Sequence, residues 1–268
     1  MDKESYFERI AEYKLLAKHE VGQNFLVDPE ACQRIVSLCE IKSGEKVIEI
    51  GCGAGSLSYF LNESEGSSDL IDIDEGLLAK LEEDFKGSGK VKPTYGNAVK
   101  WDYAPYDKIV GNLPYYITSL ILEKVFLGAS NCKKVVFMVQ KEAAERILAP
   151  VGSKEYSPLN VLWRLLYEGK RAFNVGRSSF VPAPHVDSSV IVFRKKENVN
   201  AEDVRSAYSL ATSLFLQRRK TILNNLKAYL HDEEKAKAAL AKAGINEMDR
   251  PEKVAPEKYL GLFKAISE

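Results

Sequence analysis

The sequence predicts an α/β protein, a mostly parallel sheet with helices on both faces, followed by a small all-α domain. The first observation is alternation. The apolar runs "EKVIEIG", "SDLIDID", "KVKPTYG", "YDKIVGN" and "KKVVFMVQ" are interleaved with the helix-like segments "SLSYFLNE", "EGLLAKLEEDF" and "TSLILEKVFLG". "PEACQRIVSLCE" precedes them and "KEAAERILA" follows. Near-continuous apolar strands separated by amphipathic helices belong to a doubly wound parallel sheet covered on both faces. The second observation is the pair "RAFNVG" and "SSVIVFRKK", separated only by the Pro-rich "FVPAPHVD". That gap has no room for a crossover helix, so these strands read as an antiparallel addition at the sheet edge. The third is a change of pattern after "RKKENVN". Residues 201–245 carry apolar side chains at three- and four-residue spacing and read as helical throughout, with Gly244 as a helix stop. The predicted domains are residues 1–196 and 197–268.

Composition narrows the class. The chain has 268 residues, 45% hydrophobic and 28% charged, enough to bury a substantial core. No run approaches the roughly 18 apolar residues of a membrane helix. The N-terminus is charged and amphipathic and lacks the apolar stretch of a signal peptide. A cytoplasmic protein without membrane contact is expected. Cys32, Cys39, Cys52 and Cys132 form no CxxC pair and lack metal-ligand spacing, so they read as buried, reduced thiols, and no metal site is expected. Lys plus Arg equals Asp plus Glu at 38 each. An RNA partner would therefore have to be met by locally concentrated positive charge.

Two motifs carry chemistry. "EIGCGAGSL", Glu49 to Leu57, follows an apolar strand and opens a helix. Glycines there let the backbone turn tightly and approach a ligand beside a helix N-terminus. Asp72 ends the next strand about 20 residues on, the place for a carboxylate gripping a ribose diol. Asp74 reads as the cap of the following helix. The loop by itself fits several nucleotide-type cofactors. The strand-end Glu49 and the lack of a phosphate-directed basic residue lean toward S-adenosylmethionine rather than a dinucleotide. The second motif is "NLPY", Asn112 to Tyr115, at the end of a strand. A nucleobase amine such as adenine N6 is a poor nucleophile, because its lone pair is delocalised into the ring. Methylating it requires acceptors for the amine hydrogens and an aromatic face for the extruded base. The Asn112 side-chain oxygen and the Leu113 carbonyl supply the acceptors, Pro114 fixes the turn, and Tyr115 supplies the face.

"GQNFLVD" (22–28), "FMVQKEAAERI" (137–147), "FVPAPHVDSSV" (180–190), "QRRKTILNNL" (217–226) and "DRPEKVAPEKY" (249–259) join "NLPY" in one order. Together they resemble the KsgA-type rRNA adenine dimethyltransferases over nearly the whole chain. The erythromycin-resistance methylases of large-subunit rRNA share the catalytic domain, but "NLPY", "VQKE" and "RRKT…NNL" are more similar to the KsgA side. The resemblance implies a Rossmann-like class I methyltransferase domain with a seven-stranded sheet, and S-adenosylmethionine as cofactor. Gln23, Asn24 and Leu26 would contact the cofactor, Gly51, Gly53 and Gly55 would line its methionine portion, and Asp72 would hold its ribose. Asn97 would contact its adenine, and Asn112 would touch both the cofactor amine and the substrate N6. Phe180 would close the second face of the target base, opposite Tyr115. The family usually has Asp at the position of Asn97 and more often Glu at that of Asp72. Lys141, Arg146, Arg218, Arg219 and Lys220 are the candidate RNA contacts, with Arg194 to Lys196 as a further basic cluster. The last three of those contacts are expected on a helix. The implied product is a pair of adjacent N6,N6-dimethyladenosines near the 3′ end of 16S rRNA, made by a monomer on an immature small subunit. Two alternatives stay open: the same chemistry on 23S rRNA, and a non-catalytic assembly or transcription factor that keeps the fold.

Overall fold

The computed structural model describes residues 3–12 and 23–267. The strands are β1 (Phe25–Leu26), β2 (Lys46–Ile50), β3 (Ser67–Asp72), β4 (Val91–Tyr95), β5 (Lys108–Asn112), β6 (Lys134–Gln140), β7 (Tyr167–Val175), β8 (Phe180–Val181) and β9 (Ser188–Lys195). Seven of them form one sheet in the order β4-β3-β2-β5-β6-β9-β7. Pairing is parallel from β4 through β6, and β9 joins β6 antiparallel. The expected edge addition is therefore present, with β9 lying inside β7. The seven-stranded, mostly parallel sheet matches the fold class read from the sequence.

Burial explains the apolar runs. In β6 every residue from Lys134 to Val139 is buried, because helices cover both faces. The two buried lysines that begin strands in this layer are paired: Lys134 with Glu40 at 2.6 Å and Lys108 with Glu45 at 3.4 Å. Helices α1 (Lys3–Glu12), α2 (Pro29–Ser37), α3 (Ser56–Glu63) and α4 (Glu75–Asp84) contribute to one hydrophobic core that also takes Val47, Val110 and Val136 from the sheet. The order reverses at β2, which lies between β3 and β5. In open α/β sheets the crevice at such a point, outside the carboxyl ends of the strands, is where ligands bind. All four cysteines are buried free thiols, as expected. No described helix is long and apolar enough to cross a membrane.

The chain forms two compact units, residues 1–144 with 170–194, and residues 145–169 with 195–268. The first holds most of the sheet together with α5 (Thr118–Gly128). The second takes in residues 145–169, which the sequence reading placed in the first domain. The cause is local. In α7 (Pro158–Leu166), Asn160 donates to the carbonyls of Arg146 and Ile147 at 3.2 and 2.7 Å. Trp163 donates to Ile147 O at 2.8 Å, and Arg164 to Ala149 O at 2.9 Å. These bonds tie the end of α6 (Lys141–Ile147) to α7. The unit is completed by α8 (Ala201–Phe215), α9 (Ile222–Leu230), α10 (Glu233–Lys242) and α11 (Pro256–Ser267), around buried Leu210, Leu214, Tyr259 and Leu262.

One expectation fails here. The C-terminal segment is not helical throughout, and "QRRK" does not lie on a helix. α8 ends at Phe215, residues 216–219 form a turn, and α9 starts after Thr221. The Thr221 hydroxyl accepts the Asn224 N–H at 3.3 Å, an N-cap that starts a new helix. Gly244, with φ of 63°, follows the end of α10 as expected.

Candidate active site

A cavity of about 400 Å³ opens at the carboxyl ends of β2, β3 and β5. Its volume falls within the range of small-molecule and cofactor sites. Its walls are three loops that the sequence analysis had singled out separately. The first is "QNFL": Gln23, Asn24, Phe25 and Leu26 all line the cavity. β1 is held there by antiparallel pairing with β8, and Asp28 caps α2 by accepting from Ala31 N at 3.0 Å. Gly22 lies outside the described residues.

The second wall is the glycine loop. Glu49, Gly51 and Gly53 line the cavity, and the ring of Phe25 lies 3.4 Å from where a Cβ on Gly53 would stand. Gly55 does not line it, contrary to expectation. It faces away, with Tyr6 and Leu81 occupying the space of a side chain. Ser56 and Leu57, the first residues of α3, line the cavity instead. α3 has no side-chain N-cap, so its first amides are available to an anionic group. Asp72 has a task that spacing alone did not reveal. One carboxylate oxygen accepts Gly53 N at 2.9 Å, and the other accepts Ile73 N and Asp74 N at 2.7 and 3.0 Å. It therefore ties the glycine loop to the end of β3 while also lining the cavity. Asp74 caps α4, accepting Gly76 N at 3.1 Å, and receives a bond from Gln23 at 3.3 Å.

Glu49 is 2% exposed, and its hydrogen bond comes from the Ser58 hydroxyl at 2.5 Å. Burial, with a smaller push from Asp72 and against the pull of Ser58, raises its carboxyl from 4.5 to about 8. A carboxyl raised in the folded state takes up a proton on folding. Its effect on stability is therefore least harmful below pH 4.5 and grows unfavourable as pH rises toward about 8. Urea unfolding of the ligand-free protein between those limits should show Glu49→Gln gaining on wild type as pH rises. Parallel stability curves for the two proteins would contradict the assignment.

The third wall is "NLPY". β5 delivers Asn112 to the cavity beside the glycine loop, and a Cβ on Gly51 would stand 3.4 Å from the Asn112 carbonyl. The turn is fastened at both ends. Leu113 N donates to Met138 O at 3.0 Å, and the Thr118 hydroxyl donates to Pro114 O at 3.1 Å. The Leu113 side chain is buried, while its residue borders the cavity along with Pro114. Asn112 Nδ2 donates to the Asn24 carbonyl at 3.3 Å, which leaves Oδ1 as the acceptor. The side chain of Tyr115 lies outside the described residues. Tyr116, unassigned by the sequence, is 63% exposed and forms part of the cavity wall.

Asn97 borders the cavity in the loop after β4, with Ala98 and Val99. Its Oδ1 accepts Val99 N at 2.9 Å, which turns its Nδ2 into the group free to meet a ligand. Phe180 lies beside the "QNFL" wall rather than in the cavity lining. It is 2% exposed, in the hydrophobic core, and its strand β8 is paired with β1. Its partner in register is Leu26, which lines the cavity. Of the basic candidates, Arg146, Arg219 and Lys220 are exposed, Lys141 and Arg218 are half-buried, and Arg218 lies 3.8 Å from Glu252. Arg194 pairs with Glu40, and Lys196 donates to Arg164 O at 2.6 Å.

The sheet order, the glycine loop and a carboxylate at the end of the next strand are those of a Rossmann-like, S-adenosylmethionine-dependent methyltransferase. The sequence model of the ribosomal RNA adenine dimethylases matches residues 15–268, and the chain belongs to that family. It is 35% identical to the ribosomal RNA small subunit methyltransferase A of Malacoplasma penetrans, over 94% of this chain and 93% of the relative. Among solved structures, a dimethyladenosine transferase from Plasmodium falciparum superimposes with a TM-score of 0.76 at 27% identity, covering 88% of this chain and 94% of the other. The 23S rRNA methyltransferase ErmE gives a TM-score of 0.72 at 25% identity, covering 91% of this chain and all of the other.

Proposed function

We propose that this protein methylates N6 of two adjacent adenosines near the 3′ end of 16S rRNA, forming N6,N6-dimethyladenosine at each, on an immature small ribosomal subunit in the cytoplasm. The observation that carries this reading is the Asn112 amide. Its Nδ2 is committed to the Asn24 carbonyl, so Oδ1 stands at the cavity wall as a hydrogen-bond acceptor. In this reading Asn112 Oδ1 and the Leu113 carbonyl receive the two hydrogens of the adenine amine. The nitrogen would become tetrahedral as it bonds to the methyl carbon and the methyl–sulfur bond of the sulfonium breaks, leaving a neutral thioether, and the ammonium proton would then pass to water. S-adenosylmethionine supplies that methyl group. Gln23, Asn24, Leu26 and Gly51 would hold its amino-acid end with the α3 amides, Asp72 its ribose and Asn97 its adenine.

Tyr115 supplies the stacking face for the extruded base in this account. Arg219 and Lys220, with Arg146, Lys141 and Arg218, would give local phosphate affinity to a chain of zero net charge. The relatives named for the small subunit favour 16S rRNA, and the likeness to ErmE supports the second reading, 23S rRNA. The protein acts as a monomer in either case. Reverse transcription across both rRNAs separates the two, because a dimethylated N6 cannot pair. RNA from cells carrying the gene should stop the enzyme near the 3′ end of 16S rRNA, and RNA from cells lacking it should not. Gene-dependent stops confined to 23S rRNA would overturn the proposal.

A further inference from the structure

Helix α1 precedes the residues matched by the family model, which begins at residue 15. It is nevertheless built into the first unit, with Tyr6, Phe7 and Ile10 buried in the core. The Tyr6 ring lies 4.9 Å from that of Tyr59, and the Phe7 ring 6.0 Å from that of Phe60, both on α3. The Arg9 guanidinium forks onto both carboxylate oxygens of Asp84, the last residue of α4, and sits 4.9 Å from the Tyr6 ring centre. α1 thus fastens together the two helices that follow the glycine loop and the Asp72–Asp74 turn.

One bond reaches the loop itself. The Tyr6 hydroxyl donates to the Gly55 carbonyl at 3.1 Å. Gly55 is left-handed, with φ of 89°, and opens α3 without a side-chain cap. A Cβ at this position would stand 2.3 Å from the Tyr6 oxygen and 2.5 Å from Leu81. The missing side chain at residue 55 is the space that Tyr6 fills. The same carbonyl accepts Tyr59 N at 3.1 Å, the first bond of α3. Tyr6 is thus a second donor, dispensable for starting the helix but able to fix how its first peptide is set. Ser56 and Leu57, the next two residues, line the cavity.

We infer that α1 braces the cofactor site and that Tyr6 is a positioning residue, its hydroxyl holding the Gly55 peptide so that the start of α3 meets the bound cofactor. The inference rests on the S-adenosylmethionine reading of the cavity and adds a control of affinity from outside it. Tyr6→Phe keeps the ring and its packing and removes only the hydrogen bond. Calorimetric titration of the full chain with S-adenosylmethionine should show Kd raised between about two- and fivefold in this variant, the upper figure being the full worth of one such bond. The cofactor KM should rise in step, while kcat at saturating cofactor stays within about twofold of wild type. Phe7→Leu, on the same helix but away from the loop, should lower Tm and leave Kd unchanged. An unaltered Kd in Tyr6→Phe, or an equal rise in Phe7→Leu, would overturn the brace and leave α1 as simple packing. A wild-type protein that fails to bind S-adenosylmethionine would overturn the cofactor reading, and the brace with it.

Discussion

Asn112→Ala is expected to lower methyl transfer by about 10²–10³-fold, the loss seen when one preorganised hydrogen-bonding group is removed from a transition-state site. The substitution takes away the acceptor that Nδ2 orients by donating to the Asn24 carbonyl. It leaves the β5 ladder intact, because Asn112 pairs with Met138 through its backbone. Unfolding free energy should therefore change little. Affinity for S-adenosylmethionine should fall by about tenfold or less, since Asp72 and the glycine loop remain. Single-turnover methylation of small-subunit particles, set beside calorimetric cofactor binding, separates the two effects. Turnover equal to wild type would remove Asn112 from the chemistry.

The second large effect is expected one residue earlier. Gly111 lies in register with Ile50 of β2 and Phe137 of β6, so neighbours fix its strand on both sides. A Cβ at this position would stand 2.5 Å from the Ile50 carbonyl oxygen and 3.3 Å from the Ile50 Cβ. The contact is with backbone in the middle of the sheet and cannot be relieved by a rotamer change. Gly111→Ala is therefore expected to destabilise by on the order of 2–3 kcal/mol, in the range of overpacked cores. Because relief requires β5 to shift, Asn112 moves too, and methyl transfer falls even in the folded fraction. Urea unfolding reads the first effect and activity per folded molecule the second. A variant as stable and active as wild type would contradict the close approach of β5 to β2.

Much of this was legible in the sequence because the signals were local. Strands β2, β5 and β6 announce themselves as apolar runs, since burial on both faces leaves no polar alternation. The strand-end positions of Glu49, Asp72 and Asn112 derive from those runs, and all three line one cavity. Relations between distant residues escaped. The bond from Tyr6 to Gly55 spans 49 residues, and nothing near Gly55 marks it as facing a helix rather than a ligand. Asp72 reads as a ribose ligand, but its grip on Gly53 depends on how the loop folds back. Phe180 shows the limit for an aromatic side chain. The same letter serves a stacking face and a core plug, and the burial of Phe180 rests on the pairing of β8 with the distant β1. Residues 145–169 look like a continuation of the first domain until Asn160 and Trp163 bind the carbonyls at the end of α6. The break before Thr221 had a local sign, a Thr able to cap α9, hidden among residues that suit a helix.

In the proposed function the wall formed by Asn112, Leu113 and Pro114 serves methyl transfer to adenosine N6 in small-subunit rRNA. The most direct measurement incubates the protein with small-subunit particles lacking the modification and with S-adenosylmethionine labelled in its methyl group. Nucleosides and RNA fragments are then analysed by mass spectrometry. N6,N6-dimethyladenosine with both methyl groups labelled is expected at two adjacent positions near the 3′ end of 16S rRNA, formed about 10²–10³-fold more slowly with Asn112→Ala. Particles that gain no label, or label on any atom other than adenosine N6, would contradict it.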